Sequence, residues 1–407
     1  GADVGSLMHM KLRYFRWLDN ATAPVSEAVV TGSLNPEVTA TINDDTLVVF
    51  RGATEDIQRY RNATADVLEI THAANSYDDS RQTNVMYSQA EVEKGTEDTA
   101  LVRRVLLDLV RNETESILVS VYSLRSIDDG EGQPLVEALC AARQRGVGVA
   151  VITDKGQSDG EPGFAGGDDT VTAWRLWQCG IPVYKAKNYN GKYTALHHKN
   201  AVFGAGGKRL IVITGTANWS KASMGNGTHD TKPSNSETTL IVDSLTLDDG
   251  NTGYRYMSNF LRLLRDYEYQ QACPYIQTGK TEHANCEGDE AYNQPNWTQP
   301  GARNVTASLI SAQGVVAAGG WPEVGTVFTV NVGGATDIEY VVNGGESQKA
   351  PLHDSPVGGS MQTDTLSIPF GSIVDCTILS GAGPSNVTTV IVDAAFDWNS
   401  DVPVRRR

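Results

Sequence analysis

The sequence repeats one pattern of polar side chains that could carry out chemistry. Each copy has a histidine and a lysine two positions apart, then an apolar run that ends in Gly, Ser or Thr, any residue, and Asn. Histidine can attack or transfer a proton near neutral pH, while lysine and the Asn amide can stabilise anionic oxygens. Cleavage of a phosphodiester without a metal ion needs such a set, with two histidines for the two roles. The residues are His9, Lys11 and Asn35 in the first copy, and His197, Lys199 and Asn218 in the second.

The two copies are also followed by similar segments. An acidic residue and a predicted strand come next in each case, Asp44 before residues 46–49 and Glu237 before residues 238–242. An internal repeat of catalytic residue types is stronger evidence than a single motif.

This double pattern resembles the phospholipase D superfamily, whose signature is HxKxxxxD followed by G-[SG]-x-N, over roughly residues 5 to 265. The resemblance implies an α/β fold, a mixed sheet flanked by helices in two pseudo-symmetric halves, with one His, Lys and Asn set from each half facing a cleft. It implies that one histidine forms a covalent phosphohistidine while the other acts as general acid and then base. We expect His9 to attack.

The resemblance also implies supporting residues. Asp44 and Glu237 would each accept a hydrogen bond from the histidine of their own half, which fixes the ring tautomer. Ser33 and Thr216 occupy the hydroxyl position of the G-[ST]-x-N segments. The Asp of HxKxxxxD is absent from both copies, because Arg16 and Gly204 stand there. That Asp supports the motif in the family rather than attacking, so the resemblance still implies a phosphodiester hydrolase.

The two halves differ in what precedes the histidine. The second half has a predicted lead-in of alternating strands and helices, and the first half has none of it. The predicted elements are a strand at 117–122, a helix at 135–145 ended by Gly146, a strand at 147–152, a helix at 174–179 and a strand at 181–184.

About 100 residues of core are therefore absent from the first half, judged against the second half and usual domain sizes. A half-sheet without these strands would expose a long apolar edge. We expect the chain to be a piece of a cleaved or truncated precursor, or to be completed by a partner chain. The alternative is a single-motif protein that forms a homo-oligomer across His197, with residues 1–95 unrelated.

Changes in composition and in hydrophobic pattern along the sequence predict four regions. Residues 1–95 are the C-terminal portion of the first half, and residues 96–270 are the second half, with amphipathic helices at 97–111 and 254–269. Residues 271–300 are rich in polar residues, Pro and Gly, which indicates a linker. Short alternating runs within 301–407 predict an accessory β-sandwich, whose ligand would be a carbohydrate or another protein.

Sequons and cysteines indicate a secreted protein. No run approaches the ~18 apolar residues of a membrane span. Asn218 lies in a sequon but should stay unmodified because it belongs to the proposed site. The predicted glycosylation sites are Asn20, Asn62, Asn112, Asn226, Asn296, Asn304 and Asn386.

Five cysteines are present. Cys273 and Cys286 bracket a polar loop and are predicted to form a disulfide, while Cys140 and Cys179 either pair or remain buried thiols. The odd cysteine could link to a missing chain. No spacing of Cys and His suggests a zinc site, and we expect no cofactor.

Charge is distributed unevenly along the chain. The net charge is −16, yet residues 170–229 contain eight Lys and Arg and no acid, so that window is +8 and the remainder −24. Buried strands that exclude charge explain part of this window. A local positive field around a phosphate site explains the rest better.

These observations leave three hypotheses. The first is a secreted, metal-independent phosphodiesterase that cleaves phospholipid head groups through a phosphohistidine. The second is a nuclease that uses the same site, although the overall acidity argues against binding long nucleic acids. The third is a catalytically degenerate extracellular scaffold that kept the fold.

Overall fold

A computed structural model of the chain describes most of the sequence. The described residues are 7–18, 25–35, 44–51, 54–67, 76–88, 101–124, 134–154, 172, 175–176, 179–186, 196–204, 209–224, 235–270, 273–274, 305–315, 323–330, 334–356, 359–369, 371–381, 383–385 and 387–392.

Strands and helices both occur up to Pro274. The strands are β1 (Leu7–Met8), β2 (Arg13–Leu18), β3 (Val25–Gly32), β4 (Leu47–Arg51), β5 (Thr83–Ser88), β6 (Ser116–Val121), β7 (Gly148–Asp154), β8 (Val183–Ala186), β9 (Lys199–Phe203), β10 (Ile211–Gly215), β11 (Asn235–Asp243) and β12 (Cys273–Pro274). The helices are α1 (Thr54–Val67), α2 (Leu101–Asn112), α3 (Pro134–Gln144), α4 (Lys221–Met224), α5 (Ser244–Asp248) and α6 (Asn251–Gln270).

A nine-stranded mixed sheet forms the centre of this region. Its strand order is β1-β11-β10-β9-β6-β7-β8-β12, and β5 also pairs with β11. Strands β6, β7 and β8 pair in parallel, and β9 and β10 are antiparallel to both of their neighbours. Strand β11 is antiparallel to β10 and β5 but parallel to β1. Every described residue of β6 and β7 is buried, as a continuous apolar run predicts for strands covered on both faces. The expected mixed α/β sheet is confirmed.

Helices cover both faces of the sheet. Helices α2 and α3 pack on one face in a core that includes Phe203 and Ile213, while α6 contributes Met257 and Phe260 to the core on the other face. The predicted helices at 97–111, 135–145 and 254–269 correspond to α2, α3 and α6. Gly146 ends α3 with a φ of 93°, a backbone conformation that favours glycine. Most of the predicted helix at 174–179 lies outside the described residues.

Strands β2, β3 and β4 form a separate antiparallel sheet with the same register as β9, β10 and β11. Its order is β2-β3-β4. Equivalent positions are found by aligning Lys11 with Lys199, Gly32 with Gly215, and Thr46 with Thr238. In this alignment the pairs Tyr14↔Val29 and Val29↔Phe50 correspond to Val202↔Val212 and Val212↔Val242. The repeat seen in the sequence is therefore also a repeat of strand pairing.

The C-terminal region forms two further five-stranded sheets, with orders β13-β14-β18-β17 plus β19, and β16-β15-β20-β21 plus β22. Phe328 and Tyr340 bring these sheets together, with ring centroids 5.6 Å apart. Arg143 on α3 lies 2.7 Å from Asp375 and so joins this region to the rest of the chain. The strands are β13 (Val305–Val315), β14 (Glu323–Val330), β15 (Ala335–Val342), β16 (Ser347–Pro351), β17 (His353–Asp354), β18 (Met361–Gln362), β19 (Leu366–Pro369), β20 (Ile373–Ser380), β21 (Gly383–Pro384) and β22 (Thr388–Ile391).

One disulfide lies in the described region, between Cys140 on α3 and Cys179. It settles the alternative left open for these two cysteines. The predicted partner of Cys273, Cys286, lies outside the described residues, and Cys376 is a buried free thiol. Among the predicted glycosylation sites, Asn112 is exposed and Asn62 is partly exposed; the other five lie outside the described residues. No helix in the described ranges is long and apolar enough to cross a membrane.

Candidate active site

Two short parallel pairings place each histidine beside an acid. Strand β1 runs parallel to the start of β11, with Met8 opposite Ser236. A parallel bridge joins Leu196 to Asp44. The next residues along the paired segments are His9 and Glu237 in one case, and His197 and Asp45 in the other.

The acid that supports each histidine comes from the other copy of the motif. His9 Nδ1 lies 2.7 Å from Glu237 Oε2, and His197 Nδ1 lies 2.9 Å from Asp45 Oδ1. The expectation that Asp44 and Glu237 support the histidines of their own halves is wrong in two respects. The pairing is crossed, because each parallel pairing joins the histidine segment of one copy to the acid segment of the other. The first acid is Asp45, since Asp44 binds the His197 N–H through its backbone carbonyl, at 2.9 Å.

Glycines allow the G-[ST]-x-N segments to approach the acid strands closely. Gly32 has a φ of 134° and Gly215 a φ of 146°. A Cβ on Gly32 would lie 2.1 Å from the Thr46 carbonyl oxygen, and one on Gly215 would lie 2.3 Å from that of Thr238. Only glycine fits these two positions.

The hydroxyl that follows each glycine holds the supporting carboxylate. Ser33 Oγ donates to Asp45 at 2.7 Å, and Thr216 Oγ1 donates to Glu237 at 2.6 Å. Each hydroxyl also accepts the backbone N–H of the threonine after the acid, at 2.8 and 2.9 Å respectively. Serine and threonine therefore serve equally well, as the sequence suggested.

The lysines occupy equivalent places beside the histidines. Lys11 Nζ donates to the His9 carbonyl at 2.8 Å, and Lys199 Nζ donates to the His197 carbonyl at 2.7 Å. Lys199 is only 1% exposed and its ammonium lies 5.1 Å from the centre of the Tyr122 ring. Burial lowers the pKa of Lys199 well below its usual value, and the charge of Lys11 lowers it further. The two sets of residues lie next to each other, as the crossed hydrogen bonds of His9 and His197 show.

The two asparagines lie just past the ends of β3 and β10, three residues after the glycines. Asn35 and Asn218 are both partly exposed. The Oδ1 atom of Asn218 is buried and accepts no hydrogen bond within the described part of the chain. Both amides are thus placed at the ends of the strands that carry the site, where they could bind an anionic ligand.

Burial and charge act on the His197 ring in opposite directions. Burial lowers the pKa of His197, the hydrogen bond that the ring donates to Asp45 raises it, and the charge of Lys199 lowers it; the net effect is a pKa below its usual value. Burial raises the pKa of Asp45, but the hydrogen bonds from His197 and Ser33 outweigh it and hold this pKa below its usual value. His197 is therefore mainly neutral, and Asp45 ionised, at neutral pH.

His198 lies beneath the site and binds the segment that carries Asp45. Its ring is 1% exposed, with Nδ1 3.3 Å from Ser120 Oγ and a hydrogen bond to the backbone of Asp45. Its carbonyl accepts the Tyr122 N–H at 2.7 Å. Burial lowers the pKa of His198 to about 3, so the ring stays neutral at physiological pH.

The positions that lack the motif Asp have different surroundings. Arg16 lies exposed on β2. Gly204 is buried with a φ of 80°, and a Cβ there would lie 2.1 Å from the Arg209 carbonyl oxygen. The backbone therefore excludes Asp at residue 204, whereas residue 16 would accept one.

Sequence reasoning missed five residues of the site: Asp45, Tyr122, Asp154, His198 and Arg262. Asp154 accepts the Leu196 N–H at 3.1 Å, and Arg262 lies 3.5 Å from Asp44. One of the five had a usable signal. The acid-Thr dipeptide occurs as Asp45-Thr46 and Glu237-Thr238, and aligning the threonines would have selected Asp45.

The positive charge of residues 170–229 is partly neutralised by acidic residues from other parts of the chain. Arg175 lies 3.7 Å from Glu137, and Arg209 lies 3.7 Å from Asp243. Lys199 belongs to the site itself. The other side chains of the window, Lys185, Lys187, Lys192, Lys208 and Lys221, lie outside what the structure describes. The local positive field stays a prediction.

The chain is similar to one family model and to solved structures. Residues 106–252 match the family model described as cardiolipin synthase, PLD-like domain. Nuc from Salmonella typhimurium, a phospholipase D family member, is 20% identical, with 48% of this chain and 98% of that chain covered and a TM-score of 0.34. Phosphatidylserine synthase from Haemophilus influenzae is 11% identical, with 61% and 62% covered and a TM-score of 0.40. No curated protein matches the chain.

Proposed function

We propose that the chain is a phosphodiesterase of the phospholipase D superfamily, whose PLD-like domain matches residues 106–252. The observation that carries this proposal is the doubled constellation of histidine, lysine and crossed carboxylate. His9 and His197 each bind an acid through Nδ1, at 2.7 and 2.9 Å, which leaves Nε2 as the reactive nitrogen in both rings.

The reaction needs two steps. The Nε2 of one histidine attacks phosphorus, the bond to the leaving oxygen breaks, and the other histidine, protonated, gives its proton to that oxygen. A water then attacks the phosphohistidine while the second histidine takes its proton, which releases a phosphate monoester and restores both rings. Lys11, Lys199 and the amides of Asn35 and Asn218 stabilise the negative charge on the phosphoryl oxygens.

The division of roles between the histidines can be argued from burial. The expectation that His9 attacks stays a prediction. Burial of the ring holds the pKa of His197 below its usual value, and an unprotonated ring is what attack on phosphorus requires. This observation favours His197 as the nucleophile and His9 as the acid. Mass spectrometry of intermediates quenched and digested at alkaline pH, where the P–N bond is stable, would decide, because the phosphoryl group would be found on one ring only.

The architecture proposed with this function has two pseudo-symmetric halves and an accessory β-sandwich. The identical register of β2-β3-β4 and β9-β10-β11 supports the two halves. The contact between Phe328 and Tyr340 supports a sandwich of the two C-terminal sheets. The Cys140–Cys179 disulfide supports an oxidising compartment, and so a secreted protein.

Phospholipid head groups are the proposed substrates, and nucleic acids are the second candidate. A net charge of −16 disfavours a long polyanion, whose binding requires many cationic contacts. The paired lysines at the site would nevertheless accept a short single strand. A steep loss of activity with added salt on an oligonucleotide would favour the nuclease, and dependence on a lipid surface would favour the lipase.

The proposal predicts that His197→Asn abolishes turnover of bis(p-nitrophenyl) phosphate while the chain stays folded. We expect a loss of about 10³-fold or more, because a group that attacks or transfers the proton is removed. His353→Asn is the matched control, since His353 lies exposed on β17, in the C-terminal sheets, and should leave turnover unchanged. Retained turnover in the His197 variant would refute the site. No turnover in the unsubstituted chain, at any pH from 5 to 9, would favour the degenerate scaffold instead.

A further inference from the structure

The repeated strand register allows the same sheet position to be compared in two surroundings. One face of β9-β10-β11 packs under α2 and α3, where Phe203 is 1% exposed and Ile241 is 3% exposed. The corresponding residues of β2-β3-β4 are Phe15 and Val49, each of which is 48% exposed. Leu47 is 55% exposed, whereas Thr239 at its equivalent position is 4% exposed.

The opposite faces of the two sheets do not differ in this way. Val212 on β10 and Val29 on β3 are both completely buried, and both belong to the same core. The first sheet is therefore well packed on its inner face. Its exposed side chains are confined to the face that the second half covers with helices, and to the far end of β2 and β3, where Leu18 is 56% and Val25 43% exposed.

The strand edges differ as well. Strand β9 lies between β10 and β6, with Leu118 opposite Val202. Within the described residues, β2 pairs with β3 alone. An apolar sheet face next to an available strand edge is a surface that proteins normally cover.

We propose that this surface, the bare face formed by Phe15, Leu47 and Val49, binds a separate polypeptide. The partner supplies an apolar strand antiparallel to β2 and helices over Phe15 and Val49, as β6, α2 and α3 do for β9. The inference rests on the proposed function, because the partner completes the half that carries His9 and Lys11.

Two other occupants fit the surface less well. A lipid surface could cover the apolar side chains, but it offers no donors or acceptors to the backbone of an edge strand. A second copy of the chain has no spare module of this kind, because its own α2, β6 and α3 are buried in its own core. The exposed Arg13 and Arg16 on β2 are also best matched by carboxylates of a polypeptide.

Native mass spectrometry and hydrogen exchange of the full chain, purified from the cells that make it, test the proposal. We expect a 1:1 complex with a second polypeptide that protects the amides of residues 13–18. Phe15→Asp with Val49→Asp should weaken the complex at least tenfold without unfolding the chain, because both side chains are exposed. Leu247→Asp with Val387→Asp is the matched control, since these residues are 43% and 42% exposed elsewhere, and should leave the complex intact.

Four outcomes would overturn the proposal: a lone monomer, a homodimer, a single longer covalent chain, or binding of anionic vesicles in place of a protein. Turnover of bis(p-nitrophenyl) phosphate is measured on the same samples, so the two proposals can fail separately. A complex without turnover leaves the docking surface intact and refutes the phosphodiesterase. Turnover by the lone monomer does the reverse.

Discussion

The two carboxylates that support the catalytic histidines are equivalent in position but not in their surroundings. Glu237 accepts hydrogen bonds at both oxygens, from His9 and Thr216 at Oε2 and from Ser223 and Asn235 at Oε1. Asp45 accepts from His197 and Ser33 at Oδ1, while its buried Oδ2 has no hydrogen-bond partner within the described residues. Both oxygens of Glu237 are therefore hydrogen-bonded, whereas Asp45, in the described part of the chain, is hydrogen-bonded at one oxygen only.

This difference shows how the two halves depend on each other. Glu237 is held by four hydrogen bonds, one of which joins it to the histidine of the first motif copy. The buried His197 depends in turn on an acid from the first half, held by Ser33, by His198 beneath it and by the contact of Asp44 with Arg262, at 3.5 Å. When one acid segment shifts, the histidine of the other motif copy therefore loses its support.

Amide substitutions at the two acids should give the largest effects and separate support from stability. Glu237→Gln and Asp45→Asn should each reduce turnover by about 10³-fold or more, because the histidine loses the partner that fixes its tautomer. Glu237→Gln should also lower the free energy of unfolding by about 2 kcal/mol. Both carboxylate oxygens of Glu237 accept hydrogen bonds, so the amide N–H₂ of Gln would face hydrogen-bond donors whichever oxygen it replaces. Asp45→Asn can turn its amide toward the unoccupied Oδ2 position and should change stability by less than about 1 kcal/mol.

Steady-state kinetics and denaturant unfolding of both variants would check this. Equal losses of stability would show that the two supports are energetically alike, contrary to their hydrogen-bond patterns. Full turnover in either variant would show that the crossed hydrogen bond does not orient the ring.

The two positions that lack the motif Asp allow a second comparison. Gly204→Asp should lower the free energy of unfolding by about 3 kcal/mol or more, because a side chain at a φ of 80° is strained and its Cβ meets the Arg209 carbonyl. Arg16→Asp, on the exposed strand, should stay within about 0.5 kcal/mol. Thermal unfolding of the two variants measures both. A tolerated Asp at residue 204 would mean that the loop after β9 is not held as the structure places it.

The sequence predicted the elements of the second half because their periodicity is local. The buried strands β6 and β7 and the amphipathic α2 follow from neighbouring residues alone, and the matching of the two motifs follows from their order. The crossed pairing of the acids does not follow from neighbouring residues, because it depends on the parallel pairing of Met8 with Ser236, which are far apart in the chain. The role of His198 was also hidden, because the middle residue of H-x-K carries no pattern that indicates burial.

The smallest predicted effect concerns the middle residue of the H-x-K motif. This residue is Met10 in the first copy and His198 in the second, so a substitution can test the difference between the copies. The pKa of His198 is about 3 when folded and near 6.5 when unfolded, so the unfolded chain binds more protons between these values and the folded state loses stability as pH falls. The contribution of this residue should fall by about 1.4 kcal/mol per pH unit below pH 6.5. His198→Met removes that titration, so the variant should be the less stable chain at pH 7, where hydrogen bonds to Ser120 and Asp45 are lost, and the gap should close by pH 4.5. Urea unfolding of both chains at pH 7, 5.5 and 4.5 measures the gap, with His353→Met as the exposed control. A gap that stays constant with pH would mean that the His198 ring is protonated, or reached by water, in the folded protein, and then it could not hold Asp45 as a neutral donor.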